Sequence, residues 1–70
     1  MTDTMMLRDC IRSRGVKLGH LAHVLGITNN TLRNKIENET EFKLSEAEKL
    51  SKMLGMTRDQ RDRCFFGSAD

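Results

Sequence analysis

The apolar positions of this chain recur every three or four residues, the period of a helix rather than a strand. Leu7, Cys10 and Ile11, with Met6 beside them and Arg14 continuing the register, define a first helix over about residues 4–14. Arg8, Asp9, Arg12 and Ser13 fill its other side. Asp3 or Thr4 supplies the N-cap, and Gly15 closes the segment where a left-handed backbone is needed. Leu18, Leu21, Ala22 and Leu25 define a second helix, stopped by Gly26. A third starts at the N-cap Thr28 and runs to about Glu37, with Leu32 and Ile36 its only apolar residues. Ser45 and Glu48 read as a capping box for a fourth helix, whose inner face is Ala47, Leu50, Met53 and Leu54 before Gly55. Thr57 and Gln60 form a second box for a fifth helix, running to about Cys64. In the connection from Asn38 to Leu44, Phe42 and Leu44 are the expected core plugs, and Gly67–Asp70 is expected to fray. No segment alternates polar with apolar, and no Asn-Gly turn occurs. The pattern predicts an all-α bundle of five helices in one domain, residues 1–70.

Size narrows the choice of function. A chain of 70 residues buries about 60% of the surface it exposes when unfolded, too little for a cleft between two domains. No apolar run approaches the roughly 18 residues that span a bilayer, and with no charged segment leading into an apolar one at the start, no secretory signal is expected. Two cysteines are too few for a disulfide scaffold. A soluble cytoplasmic protein is expected. Net charge is +2, but its distribution says more: residues 1–35 carry six basic and two acidic side chains, residues 36–70 six and eight. The first half is therefore the one suited to a polyanion.

The third segment is the informative one. Besides its two anchors it carries Asn29, Asn30, Thr31, Arg33, Asn34 and Lys35. Asn and Thr are poor helix formers, so something other than propensity selects them. Read with the segment before it, the run from Leu18 to Glu37 is helix, three-residue turn, helix. Ala22 is small where the two cross, Gly26 turns the backbone, Ile27 plugs the corner, and Leu32 seats the second helix against Leu21 and Leu25. That spacing fits a helix-turn-helix, whose second helix enters the major groove of DNA.

The sequence also resembles the lambda-repressor-like domains of the Cro/CI (or XRE) type. The resemblance is carried by Gly15-Val16, Leu21-Ala22, Leu25-Gly26-Ile27-Thr28 and Leu32, and extends through Phe42, Glu48, Leu50, Leu54 and Phe65-Phe66. It implies a compact five-helix fold and sequence-specific binding of double-stranded DNA, as in a phage or prophage repressor, with no catalysis and no cofactor. It implies base reading by Asn29, Asn30, Arg33 and Asn34, since Asn pairs with adenine N6/N7 and Arg with guanine O6/N7. It implies backbone contacts from Arg14, Lys17, Thr28, Thr31, Lys35, Asn38 and Lys43, which hold register without reading sequence. A homodimer, assembled free or only on DNA, is the expected form, with Phe65 and Phe66 divided between the core and a second copy. The sequence departs from the family at Lys17 and Leu18, where Thr and a phosphate-touching Gln are usual, and at Lys35, where many relatives are apolar. Gly19 is unusual in the first turn of a helix.

Other chemistry is weaker. His20 and His23 with Cys10 and Cys64 do not have the spacing of a zinc finger, so no metal is expected. Both cysteines read as small core hydrophobes, and Met5, Met6, Met53 and Met56 as core filler. The plain alternative for Arg33 is an ion pair with Glu37 at i+4. The alternative for the whole chain is a helical protein-interaction module, an antitoxin or adaptor, that uses the same scaffold without reading DNA.

Overall fold

Five α-helices follow one another: α1 Thr4–Arg14, α2 Leu18–Leu25, α3 Asn29–Ile36, α4 Leu44–Met53 and α5 Arg58–Phe65. The structure, a computed structural model, describes residues 1–67, and among these there is no strand. The chain is thus all-α, as its periodicity predicts. The fraying expected at Gly67–Asp70 falls, beyond Gly67, outside the described residues.

Local chemistry sets the ends of the helices. Asp3 caps α1, its Oδ1 accepting the Met6 N–H at 3.0 Å. Gly15 ends that helix at φ 68°, and Gly26 ends α2 at φ 72°, conformations that cost glycine little. The Thr57–Gln60 box closes on both sides: Gln60 N–H donates to Thr57 Oγ1 at 3.1 Å, and Thr57 N–H to Gln60 Oε1 at 2.8 Å.

The start of α4 differs from expectation. Helix begins at Leu44, not after Ser45, and the acid that closes the box is Glu46 rather than Glu48. Glu46 Oε1 accepts the Lys43 N–H at 2.9 Å. The same carboxylate is drawn inward by Lys35, so the helix starts where one side chain can meet both donors.

One hydrophobic cluster joins all five helices. Leu7, Leu21, Leu32, Leu50 and Cys64 are fully buried, with Ile11, Ala22, Ile36, Ala47, Leu54 and Phe65 around them. Phe42 packs edge-on against Phe65, ring centroids 5.2 Å apart. Phe42 is thus a plug, as predicted, but Leu44 is not: it is 61% exposed in the first turn of α4. Met6, Met53 and Met56 pack against the core, whereas Met5 is 78% exposed and fills nothing. Cys10 is only partly buried. Phe65 goes to the core and Phe66 is left exposed. α2 packs on α3 and α4, α5 on α4 and α1, and α1 on α3. No helix among the described residues is long and apolar enough to cross a membrane.

Candidate nucleic-acid interface

The inner edge of α3 is made by Leu32 and Ile36, buried to 0% and 1% exposure, four residues and about one turn apart. Ala22, also 1% exposed, offers no bulk where α2 meets it. At the N-terminus, Thr28 Oγ1 accepts the Thr31 N–H at 3.0 Å and donates to Thr31 Oγ1 at 2.8 Å. These contacts fix which side of the helix faces water.

That side presents Asn29, Asn30 and Arg33, all exposed, with Asn34 and Thr31 partly so. Among the described residues no hydrogen bond or ion pair engages the side chains of Asn29, Asn30, Arg33 or Asn34. The Asn29 carboxamide lies over Gly19 of α2, where an added methyl would stand 3.7 Å from Asn29 Nδ2. The ion pair considered for Arg33 does not form, because Glu37 pairs with Arg8 of α1 instead. Lys17 and Lys43, the N-cap residues of α2 and α4, are exposed and without ion pairs among the described residues. No acidic residue occurs between Gly15 and Ile36, so no carboxylate of that stretch opposes this face.

Three of the expected backbone contacts are placed elsewhere. Lys35 is 8% exposed, and its ammonium donates to Glu46 Oε1 and to the Glu41 carbonyl, each at 3.0 Å. It is a strut between α3 and α4, and its charge is already neutralised. Asn38 turns its carboxamide to the N-terminal segment: Oδ1 accepts the Thr2 N–H at 2.9 Å, and Nδ2 donates to the Thr2 carbonyl at 2.8 Å. Arg14 lays its guanidinium against Gly55 in the turn before α5. Thr28 and Thr31 keep their places beside the outer face, with their hydroxyls bonded to each other.

The residues that hold α3 were not singled out by sequence. Thr4 Oγ1 donates to the Ile36 carbonyl at 2.6 Å, Arg8 takes Glu37, and Glu46 takes Lys35. One signal did exist. Lys35 comes three residues after Leu32 and so falls beside the buried edge of the same helix, which puts its stem inside and asks for an acid near its ammonium.

Electrostatics follow from these contacts. Burial alone would raise the Glu46 carboxyl, but the Lys43 N–H and the Lys35 ammonium outweigh it and hold the carboxyl below its ordinary range. Burial pushes the Cys64 thiol up to about 12, helped by the nearby Cys10 and Asp3. Cys64 is therefore a neutral core thiol, not a nucleophile. No group of three His, Cys, Asp or Glu among the described residues is placed to hold a metal ion.

Comparison of this chain with protein-family models, with curated proteins and with solved structures finds no match.

Proposed function

We propose that this chain is a sequence-specific binder of double-stranded DNA, a Cro-like repressor that seats α3 in the major groove. The observation that carries the reading is the outer edge of α3, where Asn29, Asn30 and Arg33 are exposed and unpartnered beside Asn34. Polar side chains left free in a row, on a helix anchored along its other edge, match the donors and acceptors of base-pair edges. An α-helix with its side chains is about 10–12 Å across, which fits the roughly 12 Å width of that groove. The α2–α3 pair, joined through Gly26, Ile27 and Thr28, then acts as a helix-turn-helix. Lys17 and Lys43 serve as phosphate contacts. Repression needs no more than occupancy of a site that polymerase must also use. A body 32 × 24 × 20 Å also lets two copies sit about 34 Å apart on one face of the duplex, so a homodimer on a palindrome fits this reading.

Selection of bound DNA from a random pool tests it. An enriched two-fold-symmetric site, with affinity falling steeply as salt rises, is the expected outcome. A pool with no enrichment overturns it. The second reading, a protein-interaction module, draws on Leu44 and Val24, apolar side chains left 61% and 38% exposed. It predicts no enriched site and no steep salt dependence.

A further inference from the structure

Asn38 is the only non-glycine residue with positive φ among the described residues, at 66°. It follows the C-cap of α3 and ends that helix, its N–H donating to the Lys35 carbonyl at 3.2 Å while Glu39 N–H takes the Asn34 carbonyl at 2.8 Å. Glycine would do this backbone work with less strain, so the choice of asparagine points to the side chain. That side chain bonds three times. Besides the two bonds to the Thr2 backbone, Nδ2 reaches Thr4 Oγ1 at 3.3 Å, and the Thr4 hydroxyl passes on to the Ile36 carbonyl. Only one orientation of the carboxamide satisfies both the N–H and the carbonyl of Thr2. The segment so held is itself anchored, with Thr2 buried and Asp3 N–H donating to the Cys64 carbonyl at 2.7 Å. The N-terminal residues therefore run as a strap from the end of α3 to the end of α5.

We propose that Asn38 is a positioning residue: by clasping Thr2 and Thr4 it sets the tilt of α3, and with it which base edges Asn30, Arg33 and Asn34 can reach. It acts on recognition without touching DNA. The proposal deepens the DNA-binding reading and rests on it for its consequence, though the clasp itself can be tested without DNA.

The test uses the full chain and two variants. Asn38→Gly keeps the left-handed backbone and deletes the clasp. Thr4→Val removes the bond to the Ile36 carbonyl and the Asn38 contact to the Thr4 hydroxyl, and leaves the two bonds between Asn38 and the Thr2 backbone in place. Amide hydrogen exchange is followed by NMR, and binding is measured on the selected site and on random DNA over a range of salt. Both variants are expected to speed exchange in α3 while α4 and α5 keep their protection. Preference for the selected site should fall about tenfold, the scale of one mismatched base pair. The salt slope should not change. Unchanged exchange in α3 overturns the proposal, as does a uniform loss of protection in all five helices. Equal weakening on both DNAs with a shallower salt slope also overturns it, because that is the mark of a phosphate contact. If the parent chain selects no DNA site, the groove-reading helix fails, while exchange in α3 still decides for or against the clasp.

Discussion

The outer edge of α3 and its C-terminal end are built from the same residue types and put to opposite uses. Arg33 is exposed and unpaired, whereas Lys35, two residues on, is buried against Glu46 and the Glu41 carbonyl. Asn30 is free in solvent, whereas Asn38 has every polar atom of its carboxamide engaged. The difference lies in position, not chemistry. A recognition surface needs side chains whose hydrogen-bonding capacity is still open, and that requires the helix to be fixed by others. The tied end of α3 is what lets its outer edge stay unpartnered.

The largest expected effect breaks the tied end. Glu46→Ala leaves the Lys35 ammonium buried without its partner and should destabilise the fold by about 3 kcal/mol. Arg33→Ala should stay within about 0.5 kcal/mol, since it removes nothing from the core. Replacing both partners together, Lys35→Met with Glu46→Leu, should recover most of the loss. Urea melts of the four proteins check this. Equal costs for Glu46→Ala and Arg33→Ala would erase the distinction between the two regions. Acid titrates the same contact. Because the folded state holds the Glu46 carboxyl below its ordinary value of 4.5, its contribution is fully present above that pH. It is lost as pH falls through the lowered value. In the Glu46→Gln variant that part of the acid dependence should vanish.

The next effect belongs to the free edge. Asn30→Ala and Arg33→Ala should each remove about 1–3 kcal/mol of discrimination at one base position, with melting unchanged. Binding to site variants carrying single base changes measures this. Equal loss on selected and random DNA would take these residues out of base reading.

The five helices were legible in the sequence because the core stripes, the glycines after α1 and α2, and the Thr57–Gln60 box are local signals. The outer edge of α3 was legible for the same reason: Leu32 and Ile36 fix its inner side, and the remaining residues must point away. What sequence order hid were the partners. Lys35 and Glu46 lie on different helices, and Thr2 and Asn38 are thirty-six residues apart, so no pattern within one helix relates them. The misplaced start of α4 comes from the same blindness. Ser45 with Glu48 is a good local box, but Glu46 does its capping with a carboxylate that tertiary contact has already drawn in. Of the two residues read as plugs, Phe42 packs against Phe65, while Leu44 becomes the exposed first residue of α4.

A smaller effect separates cations that are free from the one that is not. Lys17→Ala and Lys43→Ala should each lower the slope of log affinity against log salt by about 0.9. The paired change Lys35→Met with Glu46→Leu should leave the slope unchanged, because that ammonium is already held by Glu46 and the Glu41 carbonyl. A salt series on the three proteins measures it, and a shallower slope for the paired change would place Lys35 on DNA after all.

The smallest effect is a gain. Gly19 lies inside α2 with ordinary helical backbone, and a methyl there meets only the Asn29 carboxamide, at van der Waals distance. Gly19→Ala should therefore stabilise the chain by about 0.5–1 kcal/mol. The same methyl stands between α2 and the first exposed residue of α3, so stability and binding need not move together. If affinity for the selected site falls while the melting temperature rises, the bare backbone at Gly19 is there for close approach of a phosphate or for the placement of Asn29. If both rise, the glycine has no part in the interface, and the free edge of α3 begins at Asn30.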